Sequence, residues 1–153
     1  MDADRQEVIV IGGGQAGLAL GYHLAHQERR FTILDAGDAP AAVWRSRWDA
    51  LTLFTPARYD ALPGRALPGD PGHYPTRDEV VEYLTAYARD FELPVELNTR
   101  VRAVRAREHG YLVETDDRAY EADQVVIATG PFQTPRIPSI ARGRYSISRT
   151  SFR

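Results

Sequence analysis

No cysteine and no lysine occur among the 153 residues of this chain. Without cysteine it holds no disulfide staple, no thiolate zinc site and no redox dithiol. Without lysine it cannot form a Schiff base, and all 19 basic side chains are arginine. Long apolar runs are missing as well; none approaches the roughly 18 residues that a membrane helix needs. The opening MDADRQE is acidic and leads straight into an apolar run, unlike a secretory leader. A net charge of -2 argues against nucleic acid or an anionic membrane as main partner. A small-molecule ligand and a cytoplasmic location are the expectations. Histidines 23, 26, 73 and 109 have no ligand spacing with carboxylates, so no metal site is expected. No nucleophile elbow is present either.

What is there is an ordinary globular composition, 43% apolar and 26% charged, in a length that suits one domain. The most informative stretch is VIVIGGGQAGLAL, residues 8–20. Residues 8–11 read as a buried parallel strand, a short β-branched run without polar alternation. Ala16 to about His26 reads as a helix with Leu20, Leu24 and Ala25 on its inner face. Residues 31–34 form a second buried strand that ends at Asp35. This is the β-α-β setting in which a glycine fingerprint has meaning. Gly12, Gly14 and Gly17 fit G-x-G-x-x-G. Gly12 permits the tight turn, Gly14 lets a pyrophosphate approach the backbone, and Gly17 lets helix and strand pack closely. The diphosphate then lies on the unpaired N–H groups of the helix start. Asp35 is placed to accept from adenine ribose hydroxyls, and its charge repels a 2′-phosphate. FAD or NAD is therefore preferred to NADP here, and the glycines do not choose between those two.

Residues 36–75 are rich in Gly and Pro with little periodicity. A long irregular stretch in a compact domain is functional or disordered. Trp44, Trp48, Leu51, Leu53, Phe54 and Tyr59 favour function, because disordered segments are poor in such residues. Thr76 to Glu79 spells a capping box, opening a helix with the stripe Val80, Leu84, Tyr87, Ala88 and Phe91, which Pro94 ends. Short strands follow at 95–97, 101–107 and 111–115, the last two flanking a turn at His109 and Gly110. A turn at 116–118 leads through 119–124 into a buried strand, 125–127, closed by Ala128, Thr129 and Gly130. The fold class expected is α/β, a Rossmann-type three-layer dinucleotide-binding domain with a β-meander, incomplete. It should occupy residues 1–140, with an irregular basic tail at 141–153.

Three further segments carry a resemblance: AVWRSRWD at 42–49, LTLFTP at 51–56 and YDALPG at 59–64. Together with YPTRD at 74–78 and ATGP at 128–131, over about residues 7–140, the chain resembles the flavin-containing monooxygenase superfamily. That resemblance implies that Gly12, Gly14 and Gly17 bind the FAD diphosphate, with Gly13, Gln15 and Ala16 lining the turn. Asp35 would take the adenine ribose, where many members have the longer Glu. Trp44 and Arg45 would run along the FAD, Val101 would meet adenine through its backbone, and Thr129 and Gly130 would end the strand beneath the cofactor. In a complete relative NADPH would reduce the flavin, which with O₂ would oxygenate a soft nucleophile or a carbonyl. No catalytic residue is assigned. The chain stops before a second glycine fingerprint for NADPH, so it reads as a fragment or truncated product that does not turn over alone. Two other readings stand beside this one: a non-catalytic dinucleotide-binding remnant, and an FAD-dependent NAD(P)H reductase without a dithiol.

Overall fold

The strand β1 (Gln6–Ile11) is the axis of the structure, a computed structural model that describes residues 5–131. Its four apolar residues point alternately to two faces, as a pleated strand requires. Val8 and Val10 enter one buried cluster, Ile9 and Ile11 another. A strand buried on both faces needs a cover on each, and the rest of the chain supplies them.

On the first face lie α1 (Gln15–His26) and α3 (Arg77–Asp90). They meet through an aromatic cluster in which Tyr22 sits edge-on to Phe91 at 4.8 Å and Tyr87 lies 4.7 Å from the same ring. The inner face of α1 differs from the expectation. Gly17, Leu18, Gly21 and Leu24 are buried, Leu20 is half-buried, and Ala25 is exposed. The large residues misplace the stripe because two glycines occupy it: a Cβ on Gly21 would come within 2.9 Å of Ile33 Cδ1. The helix is pressed onto the sheet where it has no side chains. In α3 the stripe is Val80, Tyr83, Leu84, Tyr87 and Ala88, and Phe91 is the half-buried C-cap. The capping box forms as the sequence indicates, with Thr76 N–H donating to Glu79 at 2.7 Å.

On the second face the antiparallel strands β4 (Val101–Arg107), β5 (Gly110–Thr115) and β6 (Ala119–Ile127) contribute Val113, Tyr120 and Ala122 to the cluster around Ile9 and Ile11. The hairpin turn falls on Glu108 and His109, because Arg107 pairs with Gly110 across it. Gly110, at φ 97°, is the left-handed residue that closes it.

Among the described residues the sheet has six strands in the order β3-β2-β1-β6-β5-β4, where β2 is Phe31–Leu34 and β3 is Val95–Glu96. The pairs β3-β2, β2-β1 and β1-β6 are parallel, and the meander is antiparallel. This is the α/β fold expected, with a β-meander joined to a parallel core. One strand departs from its expectation. Ile127 is 63% exposed: β6 pairs with β5 only as far as Ala122, and, among the described residues, 123–127 have β1 alone as a neighbouring strand.

Residues 36–75 are ordered by backbone bonds to the start of α3. Leu53 N–H donates to Pro75 O and Arg77 N–H to Leu51 O, each at 2.8 Å. They contain only a short helix α2 (Ala42–Arg45) and a 3-10 turn (Ala57–Tyr59). Order does not bury every aromatic side chain: Trp48, Phe54 and Tyr59 stand exposed. The basic tail expected at 141–153 lies outside the described residues, as does the segment 132–140.

Candidate functional site

The parallel strands β1, β2 and β6 end together, and their C-terminal ends carry the residues singled out in the sequence. Open α/β sheets place ligands at this edge. Gly12 follows β1 at φ 112°, and its N–H donates to Leu34 O at 2.8 Å. A Cβ at Gly12 would collide with the carbonyl of Ala128, and one at Gly17 with the carbonyl of Gly12. Both glycines are thus required by the chain's own packing.

Gly14 is different. Its backbone is extended (φ -85°, ψ -167°), a conformation any residue adopts, and a Cβ there would meet nothing within 4 Å. Among the described residues no steric contact and no backbone strain asks for glycine at this position. The space it leaves open lies at the N-cap of α1, where no side chain caps the helix and the first turn holds no acid. The first N–H groups of α1 have no intrahelical acceptor, and the helix dipole adds positive potential. Gln15 and Ala16, the first two residues of α1, are exposed beside that space. The residues present therefore fit a diphosphate: bare backbone, helix-start donors and no acid in the first turn of α1.

Asp35 closes the other side. Its carboxylate accepts from Gly13 N–H at 2.5 Å and from Gly37 N–H at 2.7 Å. The role expected from sequence was toward a ribose; the structure adds that Asp35 ties the glycine turn to the loop after β2. Charge-assisted bonds to two amides leave lone pairs for hydroxyl donors. The chain then passes Asp35 again before β4: Asn98 N–H donates to Gly37 O and Thr99 N–H to Asp35 O, each at 2.8 Å. Val101 therefore starts β4 two residues past a segment bound to Asp35. Thr129 follows β6 beside Gly12, its Cα 3.1 Å from where a Gly12 Cβ would stand, and Gly130 at φ 72° turns the chain away.

Trp44 lies half-buried in α2, and with Gln15 it lines a cavity of about 250 Å³. Arg45 is exposed and ion-paired with Asp38 at 3.6 Å. Sequence reasoning missed the residues that hold the loop in place. Arg77 binds Asp49, Asp78 and the carbonyl of Arg47. The hydroxyls of Tyr83 and Tyr87 donate to the carbonyls of Arg65 and Pro63, each at 2.6 Å. Burial, then the neighbouring Tyr83 and Tyr22, pushes the Tyr87 phenol up to about 12, keeping it a donor. Tyr83, three residues past Val80 on the α3 stripe, was the available signal. Glu79 is held down to about 2 by the His73 hydrogen bond first, then by Thr76. Among the described residues no three His, Cys, Asp or Glu side chains converge as a metal site would require, and no helix is long and apolar enough to cross a membrane.

A parallel sheet with a glycine turn, an uncapped helix start and an acid after β2 defines a dinucleotide-binding α/β protein. Comparison with known proteins narrows the class. The chain belongs to the pyridine nucleotide-disulphide oxidoreductase family, whose pattern matches residues 9–152, and lies with the flavin-containing monooxygenases. It is 48% identical over 135 residues to a CzcO-like oxidoreductase of Geobacillus kaustophilus, covering 88% of this chain and 39% of that protein. It is 35% identical over 98 residues to a probable indole-3-pyruvate monooxygenase, YUCCA7, of Arabidopsis thaliana, covering 63% of this chain and 23% of the other. A flavin-containing monooxygenase structure from Stenotrophomonas maltophilia superposes with a TM-score of 0.83 at 38% identity, covering 88% of this chain and 41% of that one. The chain thus spans about two fifths of the length of the two bacterial proteins and less than a quarter of the plant one.

Proposed function

We propose that this chain is the FAD-binding portion of an NAD(P)H-dependent flavoprotein monooxygenase or oxidoreductase. The observation that carries the reading is Gly14, a glycine that neither packing nor backbone strain among the described residues requires, with an open space at the start of α1. In this reading Gly14 to Gly17 hold the diphosphate through backbone N–H groups, Gly13 lines the turn with its own N–H on Asp35, and Asp35 accepts from the ribose while keeping the turn in shape. Val101 borders the adenine, Thr129 and Gly130 border the pyrophosphate, and Trp44 shields the flavin side from water. A bound flavin would supply hydride acceptance and oxygen activation. The chain's own residues bind and orient it; none is assigned a proton-transfer role. NADPH belongs to longer relatives. The family's name includes disulphide chemistry, but this chain has no cysteine to perform it.

The test is equilibrium dialysis of the purified chain against FAD and against FMN. FMN keeps the flavin but lacks the adenylate that the glycine turn and Asp35 address. FAD retained well above FMN supports the reading; equal retention, or none of either, contradicts it.

A further inference from the structure

A groove of about 480 Å³ lies between α3 and the loop at 65–75. Its volume falls within the range of about 300–1,000 Å³ usual for small-molecule sites. Leu67, Pro68 and Pro75 form the loop wall, and Tyr83, Thr85 and Ala86 the helix wall. The groove is charged at both ends, in opposite sense. Glu79 and Glu82 stand toward the start of α3 and Arg89 toward its end, where Arg65 joins from the loop. Arg65 is fixed there by an ion pair with Asp90, its guanidinium over Tyr83 at 6.0 Å from the ring centroid.

Neither end is balanced by the chain itself. Arg65 and Arg89 share one carboxylate, Asp90, which leaves an excess positive charge. At the other end Glu79 is held by His73 and the Thr76 cap, whereas the Glu82 carboxylate has no hydrogen bond or ion pair among the described residues. Glu82 lies past the first turn of α3, so the helix dipole does little for it. It follows Asp78 by four residues and Glu79 by three, and like charges at those spacings destabilise a helix.

We infer that this groove binds a short unblocked peptide about three residues long, its ammonium on Glu82 and its carboxylate on Arg65 and Arg89. The span decides the length. Glu82 and Arg89 are separated by about 10.5 Å of helix, at about 1.5 Å per residue, and an extended peptide covers about 3.3–3.6 Å per residue. A single amino acid holds its two charges too close together to reach both ends. Arginine suits a terminal carboxylate, which it can meet through two parallel bonds, and the uncharged walls between the ends suit small side chains. The inference goes beyond the flavin reading and does not depend on it, since the groove uses neither the glycine turn nor Asp35.

The experiment is titration of the nitrogen-labelled full chain with trialanine, N-acetyl-trialanine and trialanine amide, followed in proton–nitrogen correlation spectra. Each blocked form keeps the side chains and lacks one charge. Trialanine should shift the amides of Leu67, Gly69, Thr85 and Ala86 saturably and leave Gly13 to Gly17 unmoved. It should bind more tightly than either blocked form by about threefold or more. Glu82→Gln and Arg89→Gln, both at exposed helix positions that keep the fold, should each weaken trialanine by about two- to fivefold, the range of an exposed ion pair. Glu82→Gln should also erase the preference over N-acetyl-trialanine, which a general loss of stability would not do. No saturable shift, equal affinity for free and blocked peptides, shifts at Gly13 to Gly17 in place of the groove, or an undiminished preference in Glu82→Gln would overturn the inference. Failure of the chain to retain FAD while trialanine binds would count only against the flavin reading.

Discussion

Replacing the three fingerprint glycines one at a time by alanine separates what the fold needs from what the ligand needs. Gly12→Ala meets both a left-handed backbone, φ 112°, and the Ala128 carbonyl. Strained backbone costs about 1–3 kcal/mol, and overpacking adds about 1–3 kcal/mol. Gly17→Ala drives its methyl into the Gly12 carbonyl and carries a similar overpacking cost. Against a total of about 5–15 kcal/mol, Gly12→Ala should remove a large share of the stability and Gly17→Ala a smaller one, each lowering the melting temperature by about 2–4 °C per kcal/mol lost. Gly14→Ala has open space and an ordinary backbone. Reduced unfolded-state entropy favours it by about 0.4–1 kcal/mol, and alanine is a poorer N-cap than glycine by a comparable amount. Its melting temperature should therefore stay within a few degrees of the parent. FAD binding should suffer all the same, because the methyl stands where the pyrophosphate must touch the backbone. Losing one charge-assisted hydrogen bond costs about 1.5–3 kcal/mol, or about ten- to a hundredfold in affinity. Circular dichroism melting and FAD dialysis on the three variants read both effects. A Gly14→Ala protein that keeps full FAD affinity, or melts as early as Gly12→Ala, would refute the reasoning.

Asp35→Ala should cost both FAD affinity, about ten- to a hundredfold, and stability, because charge-assisted bonds to Gly13 and Gly37 vanish with it; unchanged urea unfolding would show that the tie is idle. Glu79 has its carboxyl lowered from 4.5 to about 2. Its stabilisation is complete above pH 4.5 and is lost as the pH falls toward 2. Glu79→Gln should therefore be less stable than the parent at neutral pH by about 1 kcal/mol, and the gap should close over that window; a gap that persists at pH 2 contradicts the assignment. Tyr87→Phe should cost about 0.5–1.5 kcal/mol through the lost bond to Pro63, and in the parent this phenol should resist spectrophotometric titration until about pH 12.

The elements nearest the glycine turn were legible because their signals are local. A β-branched run, a glycine spacing, an acid after the next strand and a T-x-x-E box each constrain a few neighbouring residues, and the structure places all four as expected. Signals that depend on distant partners were not legible. Ile127 belongs to an apolar triplet, yet whether it is covered depends on which strand flanks residues 123–127. The inner face of α1 was misread because its closest contacts are made by Gly17 and Gly21, which carry no hydropathy signal. Trp48, Phe54 and Tyr59 announced an ordered loop, but their own exposure was not legible, since backbone bonds to Leu51, Leu53 and Pro75 fix the loop without enclosing those rings. At the site, Asp35's bonds to Gly13 and Gly37 are properties of three-dimensional neighbours that spacing alone does not encode.

We propose above all that the start of α1 is an anion-binding seat for a dinucleotide. Proton–nitrogen correlation spectra of the labelled chain, recorded with increasing FAD, test it most directly. The amide signals of Gly13, Gly14, Gln15, Ala16 and Gly17 should move together and saturate, followed by those of Asp35 and Thr129. Equal amounts of NADP should move them less, because Asp35 opposes a 2′-phosphate. Saturable FAD shifts that leave this run untouched, or no shifts at all, would contradict it.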